Sequence, residues 1–142
     1  MQNIDLICVG KLNAPYFAAG VAEYQKRLGA FCNFRIIELP EAAIADKNAS
    51  DAQISKALDK EATAIFSSLR KGEYLAALCV EGKQFSSEEL AKLIADRANS
   101  GAGDIAFVIG SSHGLADSVK KPPTQSCPWD ASRCRTSWPA LY

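Results

Sequence analysis

A chain of 142 residues that is 48% hydrophobic is long enough for one sizeable core and too short for two comfortable domains, so a single domain is expected. Sixteen basic residues balance sixteen acidic ones, which excludes a global electrostatic field as the means of recruiting nucleic acid; an RNA partner needs local basic patches. No apolar run approaches the roughly 18 residues of a membrane span, and a strand-like run starts so soon after Met1 that no signal peptide is expected, giving a cytoplasmic, membrane-free reading.

Ile4 to Val9 is apolar and ends at Gly10, the pattern of a first strand followed by a turn carrying Lys11. From Pro15, suited to a first helical turn, Phe17, Val21, Tyr24 and Leu28 recur at spacings of four and three, and Gly29 stops the helix. Phe34 to Leu39 is mostly apolar and β-branched, a second strand that Pro40 ends. Glu41 to Ala49 has no period and reads as a long mobile loop.

Ser50 with Gln53 forms a capping box, in which hydroxyl and amide each satisfy an orphan backbone amide at a helix start. Behind it Ile54, Leu58, Ile65 and Leu69 share one face, with Gly72 as the stop. Tyr74 to Val80 predicts a third strand closed by Glu81, Gly82 and Lys83. Ser86 with Glu89 repeats the box, and Leu90, Leu93, Ile94 and Arg97 set one stripe of the next helix, which ends before Gly101. Strands alternating with helices imply an α/β layered fold with parallel strands and right-handed crossovers, with Gly10, Gly82 and Gly110 each following a strand.

The stretch Asp104 to Leu115, DIAFVIGSSHGL, carries the strongest signal. Ile105 to Ile109 is the unbroken apolar run of a strand covered on both faces. Gly110 allows a sharp turn and leaves room for a ligand, and ligands collect at the carboxyl ends of parallel strands. Gly110, Ser112 and Gly114 also match the G-x-S-x-G turn of serine hydrolases. That chemistry needs a histidine able to take the serine proton, and His113, the sole histidine, is the immediate neighbour of Ser112 and points elsewhere. A dinucleotide fingerprint is absent after Gly10. The five cysteines lack metal-ligand spacing and are expected as free thiols, Cys8, Cys32 and Cys79 in apolar runs, so no metal is expected.

After Lys121 the pattern collapses. PPTQSCPWDASRCRTSWPALY has neither helical nor strand period, and its cysteines and tryptophans are unlike disordered composition. Loss of one G after a Lys121 codon AAG turns GCC into the observed proline codon, and with suitable synonymous codons Pro122 to Tyr142 reads back in the earlier frame as AADTKLSMGRLTLPHELARLV. Trp129 and Trp138, each with a single codon, force a glycine and an alanine in that text. The restored text is helix, apolar strand, proline, histidine, then helix.

With that frame the chain resembles the ribosomal RNA large subunit methyltransferase H family, a branch of the SPOUT methyltransferases. The resemblance runs through Val9-Gly10-Lys11, Glu23-Tyr24, Arg27-Leu28, Asp59-Lys60-Glu61, Leu78, Glu81-Gly82-Lys83, Phe107 to Gly110 and Gly114-Leu115, and covers nearly all of residues 3–121. It implies a parallel-sheet, Rossmann-like domain of the SPOUT type whose carboxy-terminal trefoil-knot segment is disrupted here: residues 1–121 form an incomplete methyltransferase domain and residues 122–142 a non-family, frameshifted tail. It also implies S-adenosyl-L-methionine as cofactor, a homodimer, and methylation at N3 of a pseudouridine in large-subunit ribosomal RNA. The cofactor would touch Leu78 and Gly110, with Glu81 and Gly82 as nearby candidates. The rest of the family's site, catalytic residues included, falls in the segment this chain lacks, so the chain as written is expected to be inactive. The alternatives are a serine hydrolase using Ser112 in the G-x-S-x-G turn, or a non-enzymatic remnant. Lys11, Lys26, Arg27, Lys83, Lys120 and Lys121 are the cations available to face RNA.

Overall fold

The computed structural model describes residues 1–10, 15–42, 50–83, 85–101, 103–111, 113–120 and 135–136, with the side chains of 79–83 and 135–136 outside that description. Strands β1 (Asn3–Val9), β2 (Asn33–Leu39), β3 (Tyr74–Lys83) and β4 (Ile105–Ile109) alternate with helices α1 (Pro15–Leu28), α2 (Asp51–Ser68) and α3 (Ser87–Asn99). A short helix α4 (Asp117–Lys120) follows, and Arg135–Thr136 form a two-residue strand β5. The sheet order is β2-β1-β4-β3-β5, and each pairing is parallel. This is the α/β layered fold that the alternating pattern predicts.

Both capping boxes form as expected. The Ser50 hydroxyl accepts from the Gln53 amide while Gln53 reaches back to the Ser50 N–H, and Ser86 and Glu89 do the same at α3. Each box satisfies two amides that the helix leaves without partners, and so sets where α2 and α3 start.

The period of two along the strands divides the core. Ile7 and Val9, Ala77, and Ala106 and Val108 face α2 and α4, where they pack with Ala62, Ile65, Leu115, Ala116 and Val119. Tyr74, Ala76 and Ile105 face α3, where Leu93, Ile94 and Phe107 close over them. Arg97 lies with its guanidinium 4.6 Å over the Tyr74 ring, so Leu93, Ile94 and Arg97 of the stripe read for α3 face the sheet.

Three expectations are corrected. The helix α1 forms, yet none of its residues is buried: Tyr16 and Tyr24 are 71% and 67% exposed, and nearby Phe31 is 80% exposed. Its aromatic stripe finds no cover among the described residues. The third strand does not turn at Glu81 but runs on to Lys83, so Gly82 lies inside β3 rather than after it. The pairing of β3 with β5 explains the extension: Thr136 pairs with Leu78 and again with Lys83, across a register shift. The tail therefore contributes a strand, contrary to its lack of strand period. The mobile-loop reading of 43–49 lies outside the described residues.

Cys8 and Cys32 are free, and burial pushes both thiols up from the ordinary range, with Glu38 adding to the effect at Cys8. Cys127 and Cys134, and the side chain of Cys79, lie outside the described residues.

At the amino edge of the sheet, Asp5 is fully buried on β1. Its carboxylate accepts from Arg35 Nη2 at 2.5 Å and Nε at 3.2 Å, and Arg70 Nε stands at 3.4 Å. Glu73 joins this cluster: its Oε2 accepts the Arg70 N–H at 2.8 Å, while its buried Oε1 has no partner among the described residues. Burial raises the Glu73 carboxyl above the usual carboxylate range; the Arg70 N–H opposes this and the Asp5 charge adds to it. A carboxyl whose affinity for its proton is higher in the folded state stabilises below its unfolded pKa, and that contribution is lost as pH rises through the folded one. Glu73→Gln is therefore expected to raise Tm at pH 7 and to lose that gain as pH falls through the carboxylate range, about pH 4. Thermal unfolding at the two pH values checks this; an equal gain at both would reject it.

Candidate active site

The carboxyl edge of the sheet gathers the ends of β1 to β4. Leu78 of β3 pairs in register with Ile109 of β4, one residue before Gly110. The two sequence-assigned residues thus come together on neighbouring strands, Leu78 within β3 at the level where β4 ends and Gly110 just past that end, although 32 positions separate them in the chain. By the alternation, Leu78 and Ile109 share the face turned toward α3. Leu78 is half-buried and Ile109 is 42% exposed, so together they form an apolar shelf open to solvent at the mouth of the sheet. Ile109 is a residue the sequence reading missed, because it counted the whole of β4 as covered. Glu81 and Gly82 continue β3 beyond Leu78, past the register shift, and their side chains are outside the described residues.

Packing within the loop itself requires glycine at position 110. A Cβ there would lie 2.5 Å from the Gly114 carbonyl oxygen, 2.6 Å from its carbon and 2.9 Å from Leu115 Cγ. The loop folds back on itself: the Gly114 N–H donates to the Ser111 carbonyl at 2.9 Å, and Gly114 holds a φ of 87° that side-chain-bearing residues rarely adopt. Space beside Gly110 is filled on that side by the loop's own backbone. Gly110→Ala is accordingly expected to force the loop open, at about 1–3 kcal/mol, while the strands below keep their pairing. Hydrogen exchange at the Gly114 amide, compared with Val108 in β4, measures this; equal protection with and without the methyl group would refute it.

A buried carboxylate ties this loop to the rest of the edge. Glu61 of α2 is 6% exposed; its Oε2 accepts from the Ser111 hydroxyl at 3.2 Å and its Oε1 from the Ala42 N–H at 3.1 Å. The Gly10 N–H donates to the Leu39 carbonyl at 2.8 Å, which holds the end of β1 against the end of β2.

His113 is exposed, as a solvated turn residue would be, and Ser112 lies outside the described residues. A cleft of about 370 Å³ between α2 and the loop is lined by Ile54, Leu58, His113, Leu115 and Lys120 among others, and neither Leu78 nor Gly110 belongs to it. Of the cations considered for RNA, Lys26 and Arg27 sit exposed in the last turn of α1, and Lys120 is half-buried in α4. Lys11, Lys121 and the side chain of Lys83 lie outside the description. Among the described residues no group of three or more His, Cys, Asp or Glu is placed to hold a metal, and no helix is long and apolar enough to cross a membrane.

Known proteins match this chain over most of its length. A protein called ribosomal RNA large subunit methyltransferase H from Streptococcus uberis is 45% identical over 120 residues, covering 84% of this chain and 75% of the relative. The proteins of the same name from Streptococcus suis and Ligilactobacillus salivarius are 48% and 45% identical over the same shares. A family model described as a predicted SPOUT methyltransferase matches residues 2–128. The span takes in all four main strands and the loop at Gly110, and with the parallel α/β sheet it shows that the chain belongs to the SPOUT methyltransferase family.

Proposed function

We propose that this site transfers a methyl group from S-adenosyl-L-methionine to N3 of a pseudouridine in large-subunit ribosomal RNA, and that it does so in the chain whose reading frame continues past Lys121. The observation that carries the reading is the adjacency of Leu78 and Gly110 at the carboxyl edge of the sheet, in a chain whose relatives are named as ribosomal RNA methyltransferases.

Bound S-adenosyl-L-methionine supplies an electrophilic methyl group on a sulfonium. The residues present fit one side of such a ligand: Leu78 and the exposed Ile109 offer an apolar shelf for the adenine, and Gly110 and Ser111, with the Gly114 N–H closed onto the Ser111 carbonyl, border that shelf. Because the acceptor has to approach in line with the departing sulfur, the protein's task is mainly alignment. One wall cannot fix the ligand, and the restored apolar segment ending in proline and histidine supplies the opposite one. The disrupted knot and the incomplete pocket are then the same defect. A homodimer is supported by the uncovered aromatic stripe of α1, a surface that a second copy would bury.

The test is transfer of a labelled methyl group to ribosomes from cells lacking the corresponding enzyme, with the product mapped to the nucleotide and atom. Label at a pseudouridine N3 is the expected outcome. Label on another base, or on protein, would reject the substrate while leaving the family intact.

A further inference from the structure

We propose that Glu61 is a positioning residue for the loop that follows β4. The proposal rests on the methyltransferase reading of that loop. The carboxylate sits in the wall of the core with one oxygen on the Ser111 hydroxyl and the other on the Ala42 N–H, so a single side chain on α2 fastens the segments that leave β4 and β2. Ser111 is the residue after Gly110, and its carbonyl accepts the Gly114 N–H that closes the loop.

Three links then run in series. Glu61 holds the Ser111 side chain, the Ser111 backbone holds Gly114, and the Gly114 carbonyl packs onto Gly110, where only a hydrogen fits. A carboxylate taken out of water is costly unless its oxygens are hydrogen-bonded, and the apolar alternative for this position would leave the Ala42 N–H and the Ser111 hydroxyl without these bonds. Burying a carboxylate here therefore makes physical sense as the means of fixing two loops against one helix. Its neighbour in the helix, Ala62, serves the core directly, whereas Glu61 lies where the core meets the carboxyl edge.

The carboxamide of Glu61→Gln keeps an acceptor for the Ala42 N–H and offers a donor to the Ser111 oxygen, while Glu61→Ala removes both bonds. In the full chain, Glu61→Ala is expected to speed exchange of the Gly114 amide about tenfold or more, with the Val108 and Ile65 amides unchanged. Glu61→Gln should stay within about threefold of the parent. Ser111→Ala should reproduce the local effect, and combining it with Glu61→Ala should add nothing at Gly114. In the frame-restored chain, Glu61→Ala should weaken binding of S-adenosyl-L-methionine by a similar factor, and Glu61→Gln should restore it. Unchanged Gly114 exchange and affinity in Glu61→Ala would overturn the proposal, as would faster exchange spread equally over Val108 and Ile65. If the frame-restored parent binds no cofactor, the methyltransferase reading falls with the cofactor half of the proposal, and the exchange comparison still decides whether Glu61 holds the loop.

Discussion

Restoring the reading frame after Lys121 is expected to raise methyl transfer about a thousandfold or more over the chain as written. In the proposed site Leu78, Ile109 and the loop at Gly110 make one side, and a ligand resting on a single apolar shelf can tilt and slide. Each 1.36 kcal/mol of lost transition-state stabilisation is roughly tenfold in rate, so losing about 4 kcal/mol of alignment is enough for the contrast. Both versions should be assayed side by side with labelled S-adenosyl-L-methionine and unmodified ribosomes, after circular dichroism has shown each to be folded. Equal activity of the two chains would sink the frame argument. A folded but inactive restored chain would sink the methyltransferase assignment of this site. Resequencing the DNA across the Lys121 codon tests the frame independently of any activity.

The second large effect is on stability. Replacing Arg35 and Arg70 together by leucine strands the Asp5 carboxylate, fully buried on β1, beside a Glu73 carboxyl that already holds its proton more tightly than usual. Breaking a buried ion pair from one side typically costs about 3–5 kcal/mol, because the remaining charge stays out of water. Here the arginine side chains are 49% and 34% exposed, and solvent screening puts the expected loss at the low end, about 3 kcal/mol. Urea unfolding should show a lower midpoint at unchanged slope. Adding Asp5→Asn to the double variant removes the stranded charge and should recover part of the loss. A destabilisation below about 1 kcal/mol would show that water already reaches Asp5.

Local chemistry made much of this fold legible. Ser50 with Gln53 and Ser86 with Glu89 set the starts of α2 and α3 because a capping box needs only residues three apart. The apolar run Ile105 to Ile109 identified β4 because a strand covered on both sides has no solvent face to mark with polar residues. Leu78 and Gly110 were assigned by resemblance, and the register of β3 on β4 brings Leu78 level with the end of β4, next to Gly110.

Other features had no local signal. Asp5 reads as one polar residue in an apolar run, and only parallel pairing with β2 and the return of the chain after α2 bring Arg35 and Arg70 to it. Glu61 belongs to the residues that carry the resemblance, but nothing local gives its role, because its partners lie 19 and 50 positions away. The α1 stripe has the period of a packed helix, but period records a demand for cover and not its source. By itself, the sequence determined the kinds of element in residues 1–121, their starts, the parallel α/β class and the loss of period after Lys121, since each depends on residues within a turn or two. The tertiary structure alone decided the strand order, the burial of Asp5 and Glu61, the exposure of Ile109 and the backbone contact that makes Gly110 indispensable, because these depend on which distant segments the crossovers bring side by side.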